Sequence, residues 1–495
     1  MSAVFINPQL YVQKNDKFTT GIIYMPIILA YLVSHFKKYK IPLRVIDLYG
    51  LNPKKHKLEN NTLIFGEEIS NLNNSYFENA EVFFVYANQV ANHLSIINII
   101  KFLKERFPNI PLVILENSQA VTAYSLNEIK NEFLQIGVDY IVIGDLENSA
   151  LELFKNINNK DYLKKINGII SQDFRNQKIN FVENLNSLSF PAWDEFPLDN
   201  YWDLGYSHGP LSSKKYLPIL SSRGCPYPCN FCVVPNTNDR KWRSREPQNI
   251  VDEIQYWKEK FNVTEFHFED LNPTVNDKRT KQLCNLLIQK NLKITWKIVA
   301  GTKVESIKND ETVELLSKSG CKYISISPES GSSEVMKEIQ KPFNYNHALK
   351  TVKKMNKEKI FCQACFVIGY PGEEKNDLAK TKKMIFDLTR RGIDEIAVFI
   401  ITPIPGSKIY KKFKGFENLS ELTFTPNWRK DYKKLKLERL KMYSIFLFSK
   451  TLFHPLKILN QIFNFFRKKF DTKMEMVPYK VLRLKSFENE KKFKY

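Results

Sequence analysis

Cys225, Cys229 and Cys232 stand in the run Arg223-Gly224-Cys225-Pro226-Tyr227-Pro228-Cys229-Asn230-Phe231-Cys232, and no cysteine precedes them in this 495-residue chain. Thiolates are soft ligands, suited to zinc or to an iron–sulfur cluster. Structural zinc takes four protein ligands, whereas only three thiols share this loop. Three thiolates can hold a 4Fe-4S cluster with one iron open to a substrate or cofactor. Zinc and a disulfide loop are the alternative readings. The missing fourth ligand counts against the first; an odd total of seven cysteines and a start without a leader-like pattern count against the second. Pro226 and Pro228 stiffen the loop, and Gly224 lets the chain turn away from the apolar run 217–220.

The elements that must position this loop are legible as patterns. Over residues 1–155, apolar runs at 4–6, 43–48, 82–86, 112–115 and 140–143 alternate with amphipathic stretches such as 27–36 and 95–107. That alternation predicts a doubly wound, Rossmann-like parallel sheet. Ligands of such sheets bind beyond the strands' carboxyl ends, here 7–21, 87–93, 116–121 and 144–148. Residues 156–214 read as a linker. From 215 to 410 six strands (217–221, 265–268, 294–299, 323–327, 361–368 and 395–402) are separated by helical patterns, which predicts a partial (β/α)6 barrel whose chemistry gathers at the strands' carboxyl ends. The cysteine loop follows the first of them.

CxxxCxxC with an aromatic, Phe231, before its last Cys resembles the signature of the radical S-adenosylmethionine (SAM) superfamily. The resemblance implies that the open iron chelates the methionine moiety of SAM and that one-electron transfer cleaves SAM to a 5′-deoxyadenosyl radical. It continues at later strand ends. Glu269 and Asp270, in Phe268-Glu269-Asp270, stand where the family meets the methionine amino group. Glu329 and Ser330, in Ser327-Pro328-Glu329-Ser330-Gly331, stand where it meets ribose. Gly369 and Pro371, in Ile368-Gly369-Tyr370-Pro371-Gly372-Glu373, resemble its adenine-side turn, and Pro405, in Thr402-Pro403-Ile404-Pro405-Gly406-Ser407, its last turn. A Pro-Gly pair after one strand is a weak signal, but an ordered series behind CxxxCxxC is a strong one.

The remaining cysteines sort subfamilies. Members that methylthiolate tRNA carry cluster ligands in an amino-terminal domain, and peptide-modifying members carry a cysteine-rich tail; this chain has neither. It resembles the subgroup with an N-terminal cobalamin-binding-like domain, through Met25-Pro26-Ile27-Ile28 and Val45-Ile46-Asp47-Leu48, over about residues 3–410. The resemblance implies bound cobalamin. The chain departs from the subgroup in having no DxHxxG loop, and in placing Glu116, Asn117 and Gln119 where glycines usually admit the corrin's tail. His93 reads as a surface histidine. Cys284 and Cys321 read as packing residues, and Cys362 and Cys365, three apart in one strand, should point to opposite faces.

Net charge is +21, of which +13 falls within residues 429–495. The region 411–495 reads as a helical extension, whose apolar residues Phe448, Leu452, Leu456, Leu459, Phe463 and Phe466 recur at helical spacing among lysines. It is either a cap on the barrel or a basic amphipathic element on an anionic membrane; a nucleic-acid patch ranks third. The expected function is cobalamin-dependent methyl transfer to an unactivated carbon of a small-molecule or lipid-linked substrate. The electrons would come from flavodoxin or ferredoxin, and the location would be cytoplasmic or peripheral at the inner membrane face. A cobalamin-independent rearrangement, oxidation or cyclisation is the alternative, followed by a non-catalytic cluster-binding sensor. If the three loop thiols alone hold the cluster, Cys229→Ala abolishes bound iron and 5′-deoxyadenosine formation while Cys362→Ala leaves both intact, as iron analysis and product chromatography will show.

Overall fold

The computed structural model describes residues 2–176 and 178–490, so the last five residues of the 411–495 region lie outside the described residues. Its first sheet contains β1 (Ser2–Asn7), β2 (Leu43–Asp47), β3 (Ala80–Ala87), β4 (Leu112–Glu116), β5 (Tyr140–Val142) and β6 (Ile169–Ile170), in the spatial order β2-β1-β3-β4-β5-β6. All neighbours are parallel except β5 and β6, and β6 comes from the segment read as a linker. Apolar residues on both faces of these strands are buried under helices, as a doubly wound sheet requires. On one face Phe5 stacks on Phe84 and meets Phe36 of α1 (Ile27–Lys38) edge-on, each at 5.0 Å between ring centroids. A small antiparallel sheet of Leu10–Gln13, Thr62–Phe65 and His56–Glu59 lies beside it; its short strands gave no clear period in the sequence.

The second sheet is the open barrel: β7 (Tyr216–Ile219), β8 (Glu265–Phe268), β9 (Thr295–Thr302), β10 (Cys321–Glu329), β11 (Phe361–Ile368) and β12 (Glu395–Ile400), all parallel and in sequence order. Asparagine caps one end or the other of several intervening helices. Asn276, Asn309 and Asn344 accept backbone N–H groups at helix starts, and Asn262 and Asn291 take left-handed φ of 54° and 46° at helix ends. Glycine supplies the left-handed residue after two other helices, Gly320 at φ 95° and Gly392 at φ 102°.

The barrel does not close on itself. Its seam between β7 and β12 is filled by the carboxyl-terminal region, folded as α2 (Tyr432–Phe453), α3 (Pro455–Arg467) and α4 (Lys473–Glu490). Phe470 N–H donates to Leu211 O (2.6 Å), just ahead of β7, and Met474 N–H donates to Glu395 Oε2 (2.6 Å), at the start of β12. Lys480 Nζ, on α4, donates to Thr20 O (2.8 Å) and so ties the amino-terminal loop to the same helix. The segment between the sheets is a buried wedge: Trp193 and Tyr201 are fully enclosed, and Tyr201 OH donates to Asp47 Oδ2 (2.8 Å).

A buried ion cluster joins the two sheets directly. Arg223, at the root of the cysteine loop, forks onto Glu147 at 2.6 and 3.0 Å and lies 3.2 Å from Asp145, which also pairs with Arg243. Glu147 and Asp145 follow β5, and all four side chains are buried. Removing one partner of such a cluster strands a buried charge. Glu147→Ala should therefore lower unfolding stability by about 3–5 kcal/mol, read as a shifted denaturation midpoint.

Candidate active site

The cysteine loop is held from three sides. Gly224 has φ +79°, and a Cβ there would lie 1.9 Å from Lys241 O, so glycine is required at this turn. Its N–H donates to Gln119 Oε1 (2.8 Å), from the loop after β4, and Gln119 Nε2 donates to Asn238 Oδ1 (2.9 Å). On the barrel side Asn230 N–H donates to Ile339 O (3.1 Å) and Asn230 Nδ2 to Glu338 O (2.7 Å). Phe231 meets Tyr370 edge-on at 5.7 Å.

All seven cysteines are free, and among the described residues no three acidic, histidine or cysteine side chains are drawn together as a closed metal site. Burial shifts the loop thiols. It pushes Cys225 up to about 11 and raises Cys229 and Cys232 as well, so these are neutral thiols that lose protons when they bind metal. The donor set fits a cluster with an open iron: three soft sulfurs on one loop, with two lysines close by. Lys341 Nζ donates to Glu329 Oε1 (2.5 Å) and to Ser327 Oγ (3.0 Å), and Lys303 Nζ lies 5.2 Å from the Tyr227 ring centroid. Both lysines oppose the burial effect on Cys225 and Cys229. Glu329 sits at φ +61°, a strained conformation for a side-chain-bearing residue, at the end of β10.

These groups line one cavity of about 1510 Å³, shared by the carboxyl ends of both sheets. Cys225, Cys229, Phe231, Cys232, Glu269 and Glu329 all open onto it, as do Leu10, Tyr11 and Gln13 of the small sheet and residues 15–16, 18–22, 88–91, 117 and 119–122 beyond the strands of the first sheet. Glu269 Oε2 lies 2.7 Å from His208 Nδ1. Burial lowers the His208 pKa, so the ring is neutral and its Nδ1–H donates to the Glu269 carboxylate.

Residues 219–385 match the Radical SAM superfamily. That stretch is a radical SAM domain. An uncharacterised methyltransferase of Pyrococcus horikoshii is 24% identical over 367 residues, covering 69% of this chain and 76% of the relative. The radical SAM methyltransferase TsrM of Kitasatospora setae, solved with tryptophan and a SAM analogue, has the same fold with TM-score 0.63 and 14% identity over 83% of this chain and 75% of its own. The cobalamin-dependent radical enzyme OxsB, solved with aqua-cobalamin, superposes with TM-score 0.61 and 16% identity over 90% of this chain, which spans 56% of OxsB.

Against the radical SAM pattern, several expected contacts are placed differently. Asp270 is fully enclosed and receives Ser221 N–H (3.0 Å), Ser221 Oγ (2.7 Å) and Ser222 Oγ (2.5 Å). It fixes the root of the cysteine loop and leaves the cavity to Glu269. Ser330 is turned to Thr381 Oγ1 (3.2 Å) and is buried away from the cavity. Gly369 has φ +85°, a left-handed conformation that requires glycine, and Pro371 is exposed on the turn beyond it. Pro405 O accepts Ser125 N–H (2.9 Å) and thereby docks the last barrel turn on the first sheet. His93 is not a surface residue; it is buried between Tyr124 OH (3.2 Å) and Glu132 (2.8 Å). Loop 144–148 does not open onto the cavity and instead supplies the ion cluster. Cys365 faces the cavity and Cys362 the core, as their spacing requires.

Sequence reasoning missed Lys341, Lys303 and His208, since a single lysine or histidine on an irregular segment carries no period. If Glu269 receives the methionine ammonium, Glu269→Gln removes a charge-assisted contact of about 1.5–3 kcal/mol and weakens SAM binding roughly ten- to hundredfold by equilibrium dialysis. Unchanged binding would remove the role from this side chain.

Proposed function

We propose that this chain is a cobalamin-dependent radical SAM methyltransferase acting on an unactivated carbon of a small-molecule or lipid-linked substrate. The observation that supports it best is the single cavity between the cysteine loop and the strand ends of the first sheet, locked in register by the Gln119–Gly224 hydrogen bond. At about 1510 Å³ it exceeds the roughly 300–1,000 Å³ of a pocket for one drug-sized ligand, so there is space for a corrin beside SAM.

The side chains that crowd this space on paper are held by protein partners, and Glu116 does not line the cavity at all. Asn117 Nδ2 donates to Asn88 O (2.9 Å), Gln119 is engaged by the cysteine loop, and Glu116 accepts Leu126 and Gly144 N–H groups at 2.9 and 3.0 Å. Meanwhile Gln13 Oε1 and Thr402 Oγ1, on lining residues, are buried without partners. Unpaired polar atoms of this kind are a cost unless a ligand satisfies them.

In this reading Cys225, Cys229 and Cys232 hold the 4Fe-4S cluster, Glu269 takes the ammonium of SAM, and the loops after β1, β3 and β4 face cobalamin. When bound, these groups supply the reductive cleavage of SAM, hydrogen abstraction and the methyl group. The protein's own residues do the rest. Lys341 and Lys303 place positive charge beside the thiolates, Glu329 fixes the Lys341 ammonium, and a largely apolar lining excludes water from a reactive site. Superfamily members use an external reductant, and flavodoxin or ferredoxin is the proposed donor here. The proposed location is cytoplasmic, with peripheral contact at the inner membrane face; among the described residues no helix is long and apolar enough to cross a membrane.

The absence of a glycine pair in 115–120 favours one second reading, cobalamin-independent radical chemistry in the same cavity. Hydroxocobalamin added to the purified apoprotein decides between them: a stoichiometric complex with a spectral shift that survives dialysis is expected. No complex, with 5′-deoxyadenosine still formed, would leave only the second reading.

A further inference from the structure

The helix α3 is built inside out. Its polar residues Lys457, Gln461 and Asn464 face the protein: Lys457 Nζ donates to Asp394 Oδ1 (2.7 Å), Gln461 Oε1 accepts from Lys450 Nζ (2.7 Å), and Asn464 Nδ2 donates to Asp471 Oδ2 (2.7 Å). Its apolar residues face outward, with Leu456 71%, Phe463 58% and Phe466 74% exposed. The stripe continues along α2 through Leu452 (61%), Phe448 (69%), Leu447 and Leu440. A soluble helix ordinarily does the reverse.

Charge brackets this apolar face. Lys433, Lys434, Lys436 and Lys441 are exposed at the start of α2, and Arg467, Lys468 and Lys469 are exposed at the end of α3. Two basic clusters around an apolar ridge match an anionic lipid surface, where rings and leucines enter the acyl boundary and lysines reach the headgroups. A protein partner fits less well, because lysine is depleted at protein interfaces. A second copy of this chain would bring like charges together.

The face also reaches the cavity. Leu440 and Leu447 are half exposed on the stripe and line the cavity, next to Tyr443 and Phe446 of the same helix. We propose that the α2–α3 face docks on anionic membrane and sets the cavity mouth at Leu440 and Leu447 against the bilayer, so that the substrate is an amphiphile whose apolar chain enters from the leaflet. The substrate class rests on reading the cavity as the active site; the docking does not.

Flotation of the full-length protein with vesicles tests the docking without cofactor or turnover. Vesicles of mixed phosphatidylcholine and phosphatidylglycerol should carry the protein and phosphatidylcholine alone should not. The variant Phe448→Ser/Leu456→Ser/Phe463→Ser/Phe466→Ser alters only exposed side chains outside the cavity. It should bind the mixed vesicles roughly tenfold or more weakly, with an unchanged melting temperature and unchanged substrate-free 5′-deoxyadenosine formation. Arg467→Glu/Lys468→Glu/Lys469→Glu should lose the preference for phosphatidylglycerol. Equal flotation of wild type and the four-site variant, or a wild-type dimer that this variant dissolves, would overturn the proposal. For the mouth, the added fluorescence of Leu447→Trp should be quenched by brominated lipid in mixed vesicles; unquenched emission would overturn the leaflet route. Flotation with no SAM cleavage by the reconstituted wild type would sink the enzyme reading while supporting the docking.

Discussion

The position of the three thiols depends on Arg223. Its guanidinium is buried against Glu147 and Asp145 of the first sheet, and the next residue begins the turn that carries Cys225. A charge that deep is tolerable only with its counter-charges in place, so the barrel's first loop is committed to the first sheet's last parallel strand. Gln119 repeats the constraint in neutral form, and Asp270 repeats it from within the barrel. The cysteine loop is therefore a joint shared by both sheets, and the cavity is the space the joint leaves open.

Much of this was legible in the residues. The five parallel strands of the first sheet and all six of the barrel follow from buried apolar runs, which carry the strongest periodic signal. Cys225, Cys229, Cys232, Phe231, Glu269 and Glu329 come together on one cavity because each sits at a strand's carboxyl end. What the chain did not disclose are contacts made by irregular backbone. His208 lies in a stretch that reads as a connector, and Lys341 lies between two helices; neither spacing nor composition marks them. Nor does a local motif distinguish an inward residue from its neighbour. Glu269 and Asp270 are adjacent acids, and only the surrounding serines show that one faces the cavity and the other the protein.

The same limit explains the glycines. Sequence reasoning assigns Gly224 to a bend of the chain and Gly369 to cofactor approach. At Gly224 the obstacle is the carbonyl of Lys241, and at Gly369 the backbone itself, at φ +85°, admits only glycine. A small residue near a cofactor can owe its size to the protein behind it. Among the turns, Pro405 makes the point again, since its carbonyl joins two sheets through Ser125.

The barrel's seam is filled by residues 470–474, which reach strands from both ends of the sheet. On the ribosome, the cysteine loop is made long before that filler exists. Through that interval the nascent barrel is an open trough, with unsatisfied edges and accessible thiols, and chaperones and cluster-assembly factors have their opportunity. The docking of residues 470–474 thus acts as a clock: once they are in place, the lining of the site passes from an open trough to a cavity closed along that seam.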